Sequence, residues 1–161
     1  MASEAPSPEP RIRRAVPADA PAVREFVFGT LRAYGIEPDP DGLDADVMAF
    51  GLATAARVLE LVVEAGGLAV GSVAIGPQSQ ETGHLSKFFM DARYRGRGFG
   101  RPLLARAVAE ARALGYRRLV LETRTVFAEA CHLYEATGWQ RGPDLPPGYG
   151  PDRSYTLALD E

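Results

Sequence analysis

Three glycines at alternate positions, Gly96, Gly98 and Gly100, stand among five arginines (93, 95, 97, 101 and 106) between Asp91 and Arg106, with Asp91 as the one acid of that stretch. Glycines let the backbone come close to an anion, and free N–H groups at a following helix N-terminus point at it. Guanidinium groups add charge-assisted hydrogen bonds to phosphate. The chemistry on offer is therefore the holding of a phosphate or pyrophosphate. A P-loop would need G-x-x-x-x-G-K-[ST], and no lysine follows these glycines. A dinucleotide loop would need G-x-G-x-x-G, but the sixth position is Arg101 counting from Gly96 and Leu103 counting from Gly98. Glu122 does lie where a ribose-binding acid would, about 20 residues on. The segment, however, sits mid-chain after a predicted antiparallel hairpin, where a dinucleotide loop would open a βαβ unit. What remains is R-x-x-G-x-G, formed by Arg95, Gly98 and Gly100.

Other side chains could move protons. Tyr134 shares one predicted helix face with Phe127, Ala130 and Cys131 by i, i+3 and i+4 spacing; a tyrosine there is either a core residue with a satisfied hydroxyl or an acid. His84 opens a predicted strand. Imidazole as a side-chain type titrates near ~6.5, so it could accept a proton at neutral pH directly or through water. Glu81 and Glu122 are carboxylates that could serve instead. Cys131 is the single cysteine, and its neighbour His132 must point away from it on a helix, so it reads as a buried small residue. His84 and His132 lie far apart with no cysteine pair beside them, and no metal is expected. Five carboxylates and no basic residue lie between Glu37 and Asp46, giving either a solvated surface or a wall that favours a cation.

These residues need a scaffold. The chain has 161 residues, of which 46% are hydrophobic and 24% charged, as expected of one globular domain with a sizeable core. A net charge of −3 argues against a nucleic-acid partner. No apolar run reaches the ~20 residues of a membrane span, and the start lacks the basic-then-apolar order of a signal peptide, so no membrane partner and a cytoplasmic location are expected. One cysteine suits a reducing compartment. Residues 1–10, proline-rich, read as a disordered lead-in to a domain over 11–161. Arg11–Val16 reads as a strand. Pro17 then opens a helix, with Asp19 facing its positive end and Val23, Phe26, Val27, Leu31 and Tyr34 on one stripe that Gly35 ends. A weaker helix is expected over 46–55. Strands over 58–65 and 68–75 are joined by Gly66-Gly67, a pair suited to a primed turn. A polar loop at 77–83 precedes a strand over 84–90. The glycine segment leads into a helix ending near Leu114, with Leu103, Leu104, Ala107, Val108, Ala111 and Leu114 on one stripe. A strand over 118–123 and a helix over 126–137 closed by Gly138 follow. Strands over 139–141 and 153–159, separated by a Pro/Gly-rich loop containing Tyr149, complete an α+β domain.

Two blocks, HLSKFFMDARYRGRGFGRPLLARAVAEARALGYRRLVLET (84–123) and EACHLYEATGWQR (129–141), resemble the GNAT superfamily of acyl-CoA-dependent N-acyltransferases, and the resemblance extends over residues 11–159. It implies a mixed, mostly antiparallel central sheet of about seven strands flanked by about four helices. It also implies transfer of an acetyl group from acetyl-CoA to a primary amine of a small molecule or peptide, by direct attack in a ternary complex. In that family the loop amides hold the coenzyme pyrophosphate, which maps onto Arg95, Gly96, Arg97, Gly98, Phe99, Gly100 and Arg101. The preceding strand pairs with the pantetheine arm, which maps onto Phe88, Phe89 and Met90, and the N–H of Phe88 is the best match for the group that polarises the thioester carbonyl. Lys87 and Arg93 are candidates for the 3′-phosphate or adenine end. The family places a tyrosine four residues before a Gly-aromatic pair, beside the coenzyme sulfur; here these are Tyr134 and Gly138-Trp139, making Tyr134 the expected acid. Several relatives begin the strand with a glutamate base, and His84 stands there. Phe127 occupies the place of an asparagine that in many relatives contacts the pantetheine. The acidic segment falls where the family builds its acceptor wall, so Asp44, Asp46 and Glu122 are expected to face a cationic acceptor. A homodimer is compatible with the resemblance. The alternative is a non-catalytic acyl-CoA-binding or sensing domain, favoured by the missing asparagine and glutamate and disfavoured by Tyr134.

Overall fold

The computed structural model describes residues 10–52, 55–148 and 150–159. The expected lead-in apart from Pro10, the last part of the expected second helix and Tyr149 lie outside the described residues. Seven strands form one sheet: β1 (Arg11–Arg14), β2 (Leu59–Ala65), β3 (Leu68–Pro77), β4 (Thr82–Met90), β5 (Arg118–Thr123), β6 (Gln140–Arg141) and β7 (Arg153–Ala158), in the order β1-β2-β3-β4-β5-β7-β6. Every neighbouring pair is antiparallel except β4 and β5. Four helices, α1 (Ala20–Ala33), α2 (Ala45–Met48), α3 (Gly100–Ala113) and α4 (Ala128–Ala136), complete the expected α+β architecture. No helix among the described residues is long and apolar enough to cross a membrane.

Alternation along the strands divides the core in two. Leu61, Val63, Val73, Ile75, Leu85, Leu119 and Leu121 pack with Leu103, Leu104, Ala107 and Ala111 of α3 and with Cys131 and Tyr134 of α4. Val62 and Ala69 point the other way, onto Val23, Phe26, Val27 and Leu31 of α1 and Val47 of α2. The apolar stripes predicted for α1 and α3 are the faces that pack. Gly66 and Gly67 turn the β2–β3 hairpin with φ of +60° and +82°, the left-handed pair a primed turn needs.

Three expectations are corrected. Pro17–Asp19 form a 3₁₀ turn before α1, and Asp19 is not simply a dipole partner. Its carboxylate accepts the Val16 N–H at 2.8 Å and pairs with both terminal nitrogens of Arg13 at 2.8 Å. The second helix is one turn, Ala45–Met48, after which Gly51 at φ +89° packs against the Val16 carbonyl with no room for a side chain. Trp139 precedes β6 and is a buried core residue, because it closes α4.

Two irregularities shape the middle of the sheet. The β4–β5 register runs only from Thr82, Gly83 and His84 to Arg118, Leu119 and Val120. Beyond it β5 stays paired with β7 through Thr123, while β4 continues to Met90. The two parallel strands therefore part after His84, leaving residues 85–90 without a strand partner on that side. In addition, the β3–β4 register slips between Ser72 and Ala74, so that Lys87 and Phe88 together oppose Val73. This β-bulge places Lys87 at φ +54°.

Candidate active site

The glycine segment leaves the end of β4 and enters α3. Gly96 and Gly98 adopt φ of +75° and +81°, a region that L side chains avoid, and a Cβ built on either would meet nothing within 4 Å. Their backbone is open to an approaching group. Phe99 caps α3 without a side-chain hydrogen bond, so the first N–H groups of the helix keep their capacity for an anion. The arginines divide their work. Arg95 turns inward, donating to the Met90 carbonyl at 3.2 Å and to Thr30 Oγ1 at 2.7 Å, which ties the loop to β4 and α1. Arg97 lies 4.8 Å over the Tyr94 ring, which stacks on Phe99. Arg93 pairs with Asp91 and holds that carboxyl below its usual range.

A cavity of about 340 Å³ opens between this loop, the unpaired end of β4 and the start of α4. Phe88, Phe89, Met90, Arg95, Gly96, Gly98, Phe99, Gly100 and Arg101 line it; Arg97 does not. Thr30, Tyr34, Phe127, His132 and Leu133 also line it. Of these, Thr30, His132 and Leu133 carried no functional signal in the sequence, and Tyr34 was legible only as part of an apolar helix stripe. Phe127 meets Tyr34 and Phe89 edge-on, with centroids 5.2 Å and 5.7 Å apart. An aromatic wall thus stands at the position of the family asparagine. Open glycine backbone, uncapped helix N–H groups and an unpaired strand edge beside an apolar cavity fit a pyrophosphate with an extended, partly apolar arm.

Tyr134 lies outside the cavity lining and is buried among the rings of Phe88, Trp139 and Tyr155, at centroid distances of 5.8, 5.6 and 5.4 Å. Its spacing from Gly138-Trp139 has a physical cause. Gly138 ends α4 at φ +94°, and this left-handed residue lets the Trp139 N–H reach the Tyr134 carbonyl at 3.0 Å. The same closure sets the indole against the phenol. The Tyr134 hydroxyl has no hydrogen-bond partner among the described residues. Burial first, then Cys131 and Tyr155 nearby, push its pKa well up. Cys131 is buried, as expected, with its Sγ 3.7 Å from the Arg124 carbonyl.

His84, at the last paired position before β4 and β5 separate, reaches Glu122, two residues beyond its register partner Val120, with Nε2 and Oε1 2.8 Å apart. They lie on the α1 side of the sheet and Tyr134 on the α3–α4 side, and neither lines the cavity. Asp44 and Asp46 meet Lys87, whose Nζ is 3.2 Å and 3.6 Å from their carboxylates and donates to the Leu43 carbonyl at 3.2 Å. Lys87 is therefore engaged with the α1–α2 connection, away from the glycine loop. Among the described residues no group of three or more His, Cys, Asp or Glu side chains could hold a metal ion.

Known proteins resemble this chain in sequence and in fold. Over 139 residues the chain is 31% identical to the aminoglycoside N(6′)-acetyltransferase type 1 of Stenotrophomonas maltophilia, spanning 81% of this chain and 86% of that protein. It is 36% identical over 88 residues to the probable N-acetyltransferase family 8 member 5 of Mus musculus, a match spanning 50% of this chain but 37% of the mouse protein. A GNAT-family acetyltransferase from Staphylococcus aureus Mu50 superposes with a TM-score of 0.82 at 19% identity, covering 94% of this chain and 99% of that one. The yncA protein of Salmonella typhimurium, solved with acetyl-CoA, gives 0.77 at 22% identity, covering 94% and 95%. The sequence pattern of the acetyltransferase (GNAT) family matches residues 24–139. With most of its length matched in sequence and its sheet matched in three dimensions, the chain belongs to the GNAT acetyltransferase family.

Proposed function

We propose that this chain transfers an acetyl group from acetyl-CoA to a primary amine, by direct attack while both substrates are bound. The observation that carries the reading is the parting of β4 and β5, which leaves the end of β4 unpaired on that side where it runs on toward an open glycine loop. Through that gap, groups on opposite faces of the sheet can address one reacting centre. Gly96, Gly98 and Gly100, with Arg95 and Arg101 beside them, hold the pyrophosphate. Phe88, Phe89 and Met90 offer main-chain groups to the pantetheine arm, and the Phe88 N–H polarises the thioester carbonyl. The amine attacks that carbonyl carbon, and the C–N bond forms as the C–S bond breaks. A lysine-like amine arrives protonated, with a pKa near ~10, so it must first lose a proton. His84 takes it on the α1 face. Tyr134 hydrogen-bonds the departing sulfur on the other face, and the second proton, which the nitrogen sheds as the amide forms, goes to that sulfur, directly or through water, so that it leaves as a thiol. Asp44, Asp46 and Glu122 lie on the acceptor side.

The acceptor class is a primary amine of a small molecule or a peptide. The Stenotrophomonas relative acts, by its name, on an aminoglycoside amine, and such compounds belong in the test. Acetyl-CoA should raise the melting temperature while NAD and ATP do not. Kanamycin, spermidine, L-lysine and an alanine-initiated peptide are then screened for thiol release from acetyl-CoA. Release with at least one amine is the expected result. A thermal shift without release from any amine would favour an acyl-CoA-binding domain without turnover, and no shift would sink the donor assignment.

A further inference from the structure

The side chains of His84 and Glu122 make no hydrogen bond or ion pair besides their own among the described residues. The β3 partner of His84 is Gly76, which brings no charge, and the adjacent same-face residues on β4, Thr82 and Ser86, are uncharged. Along β5 the same face carries Arg118, Val120 and Glu122. Glu122 is thus the one charged group bonded to the imidazole. An ionised carboxylate only accepts hydrogen bonds, so the nitrogen 2.8 Å from it carries the proton. In the neutral imidazole, that leaves the lone pair on Nδ1.

We propose that Glu122 is a positioning residue for His84: it fixes the Nε2–H tautomer and the ring orientation, so that Nδ1 is the atom that takes the acceptor's proton. This rests on the reading of His84 as the base. The proton leaves the amine nitrogen for Nδ1, and the resulting positive charge lies against the carboxylate, which stabilises it without itself becoming protonated. Because both side chains are more than a third exposed, the proton can then pass to water. A carboxylate is by type a weaker base than imidazole, and this one already has an oxygen committed to the ring. Glu122 therefore suits orientation better than proton abstraction.

The chain has only two histidines, His84 and His132, so the tautomer can be read directly. Long-range proton–nitrogen spectra of protein labelled with ¹⁵N-histidine, assigned with His84→Gln, should show Nε2–H alone for neutral His84. In Glu122→Ala both tautomers should appear, whereas Glu122→Gln, whose amide oxygen still accepts, should restore Nε2–H. Kinetics with acetyl-CoA and the fastest amine of the panel above should show Glu122→Ala lowering kcat on the order of tenfold with both KM values unchanged. Glu122→Ala should add no further loss in a His84→Ala background. An Nδ1-protonated wild-type ring would overturn the proposal. So would an amine KM that rises additively with His84→Ala, which would make Glu122 an acceptor-binding residue. If His84→Ala leaves kcat intact, the base reading fails, and any catalytic role for Glu122 through the ring fails with it. The ligand-free spectra would still report whether Glu122 sets the tautomer.

Discussion

Tyr134 is a phenol with a buried ring and an unpartnered hydroxyl. Burial penalises the charged form, so the group stays protonated throughout the neutral range. That makes it a dependable hydrogen-bond donor and a reluctant acid: with its pKa raised above 10.0, complete transfer to a thiolate, whose acid has a pKa near ~8.5, would run uphill. In the proposed reaction its contribution is then to stabilise charge on the departing sulfur. Tyr134→Phe should lower kcat about 100-fold, the lower end of what a positioned proton donor contributes. Acetyl-CoA affinity by calorimetry should stay unchanged. Removing a hydroxyl that bonds no protein group should also leave the melting temperature level. Intact turnover would remove Tyr134 from the chemistry, and a marked fall in melting temperature would reveal a structural hydroxyl instead. Phe127 completes the residue-scale picture. Where the resemblance would place an asparagine, Tyr34, Phe127 and Phe89 bring aromatic rings together, so this stretch of the proposed donor site would rely on apolar contact.

At the scale of elements, the bulge in β4 is the least expected feature and the most exposed to experiment. Lys87 holds a left-handed backbone that costs a non-glycine residue roughly 1–2 kcal/mol. Two sets of contacts hold it there. Ser72, fully buried, donates to the Lys87 carbonyl at 2.7 Å, and the Lys87 ammonium meets Leu43, Asp44 and Asp46. The side chain therefore clamps the α1–α2 connection, the proposed acceptor wall, to the strand beside the cavity. Two substitutions separate backbone from clamp. Lys87→Ala keeps the strain and loses the clamp, and should cost up to about 1 kcal/mol in chemical denaturation. Lys87→Gly relieves the strain and should recover that loss. In both, hydrogen exchange over residues 39–48 should quicken and the amine KM should rise while the acetyl-CoA KM holds; protection equal to wild type would mean that the clamp holds nothing. None of this was legible along the chain, because the clamp joins residues more than 40 positions apart and the bulge depends on β3 register. The His84–Glu122 contact was hidden for the same reason, since only the parallel β4–β5 pairing makes the two neighbours. By contrast, the glycine loop, the α3 stripe and the Tyr134-to-Gly138 spacing are local patterns with local causes, and each was legible. The second helix was overextended because its apolar residues continue toward Leu52, whereas Gly51 must turn against Val16.

For the molecule as a whole, two sets of titrating groups bound the pH range in which catalysis can be measured cleanly. On the acid side, burial alone would raise the Asp19 carboxyl, but Arg13 and the Val16 N–H outweigh it and leave it lowered from 3.8. Asp91 is lowered by Arg93, and Asp152 by Thr125. A depressed carboxylate contributes stability above its unfolded pKa and loses it as pH falls through the folded value. On the alkaline side, burial raises Tyr134 and Tyr116, and burial with the bond to Glu135 raises Tyr155 from 10.0 to about 12. A raised phenol contributes stability that is fully present below 10.0 and lost as pH climbs through the folded value. Thermal stability should thus be level from about pH 5 to 9, falling below about 4 and steeply above about 10. Tyr134→Phe should soften the alkaline fall and leave the acid limb alone. Asp19→Asn should do the reverse, at a cost of about 1–3 kcal/mol at neutral pH because Arg13 loses its two-pronged partner. An alkaline limb unchanged by Tyr134→Phe would mean that this phenol ionises as easily folded as unfolded. The plateau also gives the chemistry its window: between pH 5 and 9, any change in rate that separates Glu122 or His84 variants from wild type reports on the pair and not on unfolding.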